Sequence, residues 1–172
     1  MYSLRPLGRD DLELVLTWRN SDRVRSCMIY QKTIEWKDHL CWFEKLDKNF
    51  NKYYIYYNKE IAVGLVNLKN IDVSNQICEA GMYCGNPDYI NHMINILAPM
   101  RIYMLAFERL KMQKIWAKIL TKNSVARKLN KRIGFEDICD HGEMIDVCLS
   151  IDNFEDALHV FGRRVASVML FE

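Results

Sequence analysis

The stretch from Lys114 to Phe135, KIWAKILTKNSVARKLNKRIGF, carries the densest punctuation in this 172-residue chain and constrains what the rest can fold into. Ile115, Ala117 and Ile119 alternate with Trp116, Lys118 and Leu120, and a period of two with β-branched residues on one face predicts a strand. Asn123 follows where a side-chain oxygen can cap orphan helix amides. Val125, Ala126, Leu129 and Ile133 then form one apolar face, and Gly134 stands where a left-handed residue ends a helix. The segment reads strand, N-cap, short helix, glycine stop. Arg127, Lys128, Lys131 and Arg132 lie on the helix's other side, as either a solvated cationic face or a seat for a phosphorylated ligand.

The length suits a single domain over residues 1–172, and half of the residues are apolar. A net charge of +2, with no Lys/Arg run longer than two, gives no field that argues for nucleic acid or a membrane surface. Six cysteines form no C-x-x-C pair and no zinc-type spacing with the four histidines, so no metal is expected. With no charged-then-apolar leader at MYSLRPLGRDD, the expectation is reduced thiols in a cytoplasmic protein. The apolar run Met93 to Phe107, broken by Asn95, Pro99 and Arg101, is shorter than the ~20 residues that cross a bilayer.

Along the chain, Tyr2 to Leu7 reads as a strand. Arg9-Asp10-Asp11-Leu12 opens a helix with acidic residues at its positive end, and Leu12, Val15 and Leu16 form its buried stripe. A second helix is predicted over Ile34 to Leu46. Lys52–Tyr57 and Glu60–Leu68 form a hairpin turning at Asn58-Lys59, where Gly64 signals a bulge or a close approach. A third strand runs from Ile77 to Cys84. Met93, Leu97, Met100, Met104 and Phe107 mark a core-facing helix, with Pro99 either kinking it or delaying its start. Two short strands flank the turn Asp140-His141-Gly142, which makes His141 a turn residue. A last helix is predicted from Asp152 to about Leu170, as a cover for the sheet or a homodimer contact. The order predicts an α/β (α+β) chain around a mixed, mostly antiparallel sheet.

Two stretches resemble one family. Asn123, Ala126, Leu129, Gly134 and Phe135 match the "N-x-x-A-x-x-L-Y-x-K-x-G-F" segment of GNAT-superfamily N-acetyltransferases. Leu16 to Asn20, as "L-x-W-R-N", with Val24-Arg25, His39 and Trp42-Phe43, resembles the branch of ribosomal-protein N-terminal acetyltransferases and pseudaminic-acid-pathway amino-sugar acetyltransferases. The resemblance implies a GNAT fold with acetyl-CoA as donor. It implies that Gly81, Met82 and Tyr83 hold the acyl carbonyl through strand amides, with Asn123, Ala126 and Asn130 bordering the cofactor. Glu79 is the carboxylate nearest such a site and is placed to take a proton from an amine, or is simply an outward-facing strand residue. Trp18 and Arg19 suit a sugar or base ring and a phosphate, with Asn20, His39 and Trp42 beside them, while a helix C-terminus and core packing account for the same residues.

Two positions depart from the pattern. Asn130 stands where the family has a Tyr that acts as general acid, and a carboxamide has no titratable proton. The family's glycine-bearing pyrophosphate loop corresponds to Ile90, Met93 and Asn95, and Ile90 to Asn95 contains no glycine. The resemblance implies acetyl transfer to a primary amine, foremost that of a nucleotide-linked amino sugar. The alternatives are a GNAT-fold binding or assembly module with another ligand, and a protein N-terminal acetyltransferase.

Overall fold

The computed structural model describes residues 1–171. Its strands are β1 (Tyr2–Pro6), β2 (Lys52–Asn58), β3 (Ile61–Asp72), β4 (Ile77–Cys84), β5 (Lys114–Leu120), β6 (Glu136–Asp140), β7 (Met144–Ser150) and β8 (Met169–Leu170). They form one sheet in the order β6-β7-β5-β4-β3-β2-β1-β8, parallel only at β4/β5 and β1/β8. The helices are α1 (Leu12–Asn20), α2 (Asp22–Arg25), α3 (Trp36–Glu44), α4 (Ile94–Met104), α5 (Ser124–Ile133) and α6 (Ile151–Ala166).

Strand alternation sorts side chains between two apolar cores. On one face Tyr54, Tyr56, Val66, Leu68, Ala80, Ile115 and Ile119 meet residues of α4, α5 and α6. On the other, Ile55 and Leu65 meet Leu12, Val15 and Trp18 of α1, with Leu40, Trp42 and Phe43 of α3 at the margin. Helices therefore cover the first face broadly and the second only over its β1–β3 half. Among the described residues, no helix is long and apolar enough to cross a membrane.

The parallel pair that holds the two halves of the sheet together is short. β4 and β5 pair only from Ile77 to Glu79 against Lys114 to Trp116. Beyond Glu79 they part, and Ala80–Cys84 is left with β3 alone as a partner. This splay leaves strand amides and carbonyls that need other partners.

The predicted hairpin is present, with its register shift between Tyr56 and Tyr57 opposite the Ala62–Gly64 segment. Gly64 is also a close approach, since a Cβ there would collide with the Tyr83 carbonyl and the Tyr56 hydroxyl. α4 begins at Ile94 and runs through Pro99 into a π-helical turn over Leu105–Arg109. Of its predicted stripe, Leu97, Met100 and Phe107 are buried, whereas Met93 is exposed at the helix start.

The bounds of two helices differ from the sequence expectation. The second helix spans Trp36–Glu44, because the Asn20 carboxamide takes both the amide and the carbonyl of Ile34. The last helix starts one residue earlier, capped by Ser150, whose hydroxyl accepts from the Asn153 amide. It also stops at Ala166, where the chain turns so that Met169–Leu170 can add to β1. Phe154, Ala157, Phe161 and Val165 are buried on α6, so the helix covers the sheet face that carries α4. His141 lies at the β6–β7 turn, with Nε2 3.0 Å from Asp146 Oδ2.

Candidate active site

The splay of β4 from β5 puts the two faces of one strand to different uses. Cys78, Ala80, Met82 and Cys84 point toward α4, and Tyr83 points toward α1 with, by alternation, Glu79 and Gly81. On that second face the register sets Asn67 of β3 between Tyr53 of β2 and Gly81 of β4. The pair Lys69–Glu79 comes next in one direction and Leu65–Tyr83 in the other.

Glu79 is held on both oxygens. Lys69 Nζ lies 2.7 Å from Oε1, and Asn70 Nδ2 donates to Oε2 at 3.1 Å. These contacts use two of about four lone-pair sites, so the carboxylate can still accept a proton directly or through water. It lines a cavity of about 230 Å³ with Asn70, Trp116, Lys118 and Asp146, where the strands begin to part. Tyr53 is near enough for the Glu79 charge, after burial, to raise its hydroxyl pKa.

The predicted acceptor-side residues fare differently. Arg19 donates from Nη2 to the Tyr30 carbonyl at 2.7 Å, while its buried Nη1 has no partner. Burial lowers its pKa, opposed by the charges Tyr83 and Tyr30 would carry. His39 is buried, its Nε2 has no partner, and burial lowers its pKa. Its ring stacks on Trp42 at 5.2 Å, and half-buried Trp42 meets Tyr53 edge-on at 5.1 Å, so Trp42 is at once core and wall. Trp18 is buried with its indole pressed on Gly85, where no Cβ would fit, and this leaves little ring face to stack on a ligand. Asn20 spends both ends of its carboxamide on the Ile34 amide and carbonyl, each at 2.9 Å. It ties α1 to the segment before α3.

The sequence reading missed Arg23, which donates to the Cys84 and Gly85 carbonyls at 2.9 and 2.6 Å and fixes the end of β4. It missed Asn67 and Tyr53 as well. An asparagine inside the apolar run Val63–Leu68 was the available signal for the first.

On the opposite face, Asn123 caps α5 by accepting from the Ala126 amide at 3.1 Å, and Gly134 ends the helix at φ 106°. Asn130 donates back to the Ala126 carbonyl at 2.8 Å. The glycine-free loop before α4 is held by side chains. Buried Asn95 donates to the carbonyls of Tyr89 and Ile90 at 2.6 and 3.0 Å and accepts from the Tyr56 hydroxyl at 2.8 Å. His92 Nδ1 takes the Ile94 amide, and the His92 and Met93 carbonyls take the next three. The amides of Asn91 and Met93 are left without a backbone partner among the described residues.

This arrangement fits a thioester cofactor. Past Glu79 the edge of β4 offers unpaired strand backbone to an amide-bearing arm as far as the Cys84 carbonyl, which Arg23 holds, and the loop turns its Tyr89 and Ile90 carbonyls inward onto Asn95. A strand pair splayed over such an edge, with a helix opening at the end of β4, defines a GNAT-type acyltransferase. A family model for the acetyltransferase (GNAT) domain matches residues 3–136, and the chain belongs to that family, as an N-acetyltransferase with acetyl-CoA as donor. It is similar to the acetyltransferase PseH of Campylobacter jejuni, 26% identical over 144 residues that make up 83% of this chain and 88% of that one. The structure of C. jejuni PseH in complex with acetyl coenzyme A matches with a TM-score of 0.68 at 24% identity, covering 88% of this chain and 99% of that one. The spermidine N-acetyltransferase of Vibrio cholerae, in complex with CoA and spermine, matches with a TM-score of 0.80 at 17% identity, covering 90% and 98%.

Proposed function

We propose that the chain acetylates the primary amine of a nucleotide-linked amino sugar. The observation that carries this reading is Arg19, whose buried Nη1 has no hydrogen-bond partner among the described residues. A guanidinium arm held in place by Tyr30 and still open on its other arm suits a phosphate oxygen. The similarity to the acetyltransferase PseH supports acetyl transfer by this chain.

Bound acetyl-CoA supplies the activated acetyl group. Ala80–Cys84 would hold its arm by backbone, with Gly81, Met82 and Tyr83 at the carbonyl, and Asn123, Ala126 and Asn130 would border it on α5. The amine enters from the α1/α3 face, past Trp42 and Tyr53. Glu79, fixed by Lys69 and Asn70, takes one proton from the ammonium. Attack on a thioester needs orientation and that single proton removed more than it needs a covalent enzyme intermediate. Asn130 has no proton to give, so the departing thiolate is protonated by water.

A competition assay with acetyl-CoA tests this, offering a UDP-linked amino hexose, spermine and a short peptide with a free N-terminus. The sugar nucleotide should be preferred, Arg19→Gln should raise its KM about 10- to 100-fold, and Glu79→Gln should lower kcat about 10²- to 10⁴-fold. Preference for the peptide or for spermine overturns the acceptor class.

A further inference from the structure

Four buried side-chain atoms among the described residues have no hydrogen-bond partner: Arg19 Nη1, His39 Nε2, Asn67 Oδ1 and Arg127 Nε. Asn67 Oδ1 is the one that sits in the middle of β3, at the register position facing Gly81. A Cβ on Gly81 would lie 3.3 Å from Oδ1 and 3.4 Å from Nδ2, so the carboxamide rests on the one β4 residue that has no side chain. A leucine at position 67 would continue the apolar run of β3 and would leave no buried oxygen unpaired. An orphan acceptor of this kind lowers stability, and it lies between Glu79 and the Gly81–Tyr83 backbone.

We propose that Asn67 Oδ1 accepts a hydrogen bond from the N–H of the attacking amine and aims its lone pair at the acyl carbon. The inference rests on the acetyl-transfer reading above. Once Glu79 has taken a proton from the ammonium, the amine keeps two N–H groups and one lone pair. Holding one N–H at Oδ1 leaves the lone pair free toward the carbonyl lying along β4. As the carbon–nitrogen bond forms and the carbon–sulfur bond breaks, sulfur leaves with the electron pair and the nitrogen loses a further proton to solvent. Positive charge grows on nitrogen during attack, so the N–H···Oδ1 bond strengthens there and lowers the barrier. A neutral oxygen does this without favouring the ammonium form, which a carboxylate in the same place would stabilise.

Asn67→Leu and Asn67→Asp test the role, with whichever of the three competition amines the wild type acetylates fastest. Asn67→Leu should keep or raise the unfolding temperature and hold acetyl-CoA affinity by calorimetry within about twofold. Its kcat/KM for the amine should fall about 10- to 100-fold. Asn67→Asp should lower KM and kcat together and move the kcat/KM profile about one unit toward higher pH. Unchanged kcat/KM in a folded, acetyl-CoA-binding Asn67→Leu, or a wild-type pH profile in Asn67→Asp, overturns the proposal. A loss of acetyl-CoA affinity that parallels the loss of turnover also overturns it, by moving Asn67 to the donor side. Should Asn67→Leu not fold, the pH profile of Asn67→Asp decides. If the wild type binds no acetyl-CoA or acetylates none of the three amines, the acetyl-transfer reading fails and takes this inference with it.

Discussion

α4 and α5 pack on the same face of the sheet, and they begin in opposite ways. α5 is started by a residue next to it in sequence: Asn123 accepts the Ala126 amide, and Gly134 closes the other end eleven residues later. α4 is started by a fold. His92 and Met93 take the first amides, but the loop that brings them there is pinned by Asn95 to Tyr89 and Ile90, and Asn95 is pinned in turn to Tyr56 of β2, 39 residues earlier. Local capping satisfies one helix end at a time. A long-range carboxamide staple can shape a loop that has no glycine, because it holds two of the loop's carbonyls inward.

The strongest way to break this contrast is at the staple. Asn95→Ala removes an acceptor from the buried Tyr56 hydroxyl and two donors from loop carbonyls, and at about 1–3 kcal/mol for each group left unpaired and buried, partly relieved by water, the loss should come to about 3 kcal/mol. Denaturant unfolding would measure it, and calorimetry should find acetyl-CoA affinity reduced about tenfold or more as the loop loosens. A loss no larger than that from removing a local cap would mean the loop holds its own shape. The next effect belongs to the other end of α5. Gly134 has φ 106°, and a Cβ there would come 2.7 Å from the Asn153 carbonyl oxygen, so Gly134→Ala combines a left-handed backbone with a backbone clash and should cost about 2 kcal/mol in the same titration. Because the C-terminus of α5 faces α6, this variant should leave acetyl-CoA affinity unchanged. A large drop in affinity would show that α5 positions the cofactor along its whole length.

The same contrast explains what could be read ahead of the structure. The β5–α5 segment, the hairpin at Asn58-Lys59 and the strand Ile77–Cys84 were legible because their signals are local: period-two alternation, a capping oxygen, a glycine at a left-handed position. The end of α6 was not. Nothing near Met169 announces that β1 offers a free edge, and only the assembled sheet turns the chain there into a strand. The site divides along the same line. Glu79 was visible as a carboxylate on a recognisable strand, but its fixing by Lys69 and Asn70, and the shared face of Tyr53, Asn67 and Gly81, depend on the register between three strands. Trp18 and Asn20 carry the signature of the branch in sequence. In space they tie α1 to Gly85 and Ile34, and Arg19 between them is the one left with an open arm.

The smallest expected effect is the cap itself. Asn123→Ala removes one side-chain acceptor from the Ala126 amide at a partly exposed helix start, where water can replace it, so the loss should be about 1 kcal/mol. Asn123→Asp separates the two things that residue 123 can do. It keeps the acceptor and adds a negative charge at the positive end of the helix, which favours folding by a few tenths of a kcal/mol at low salt. If Asn123 serves only as a cap, Asn123→Asp should bind acetyl-CoA as the wild type does and be slightly more stable. If the residue also borders the cofactor phosphates, the added charge should repel them, and affinity should fall while stability rises. Opposite signs in the two measurements would place the N-terminus of α5 on the cofactor path, whereas matching behaviour in Asn123→Ala and Asn123→Asp calorimetry would confine residue 123 to starting its helix.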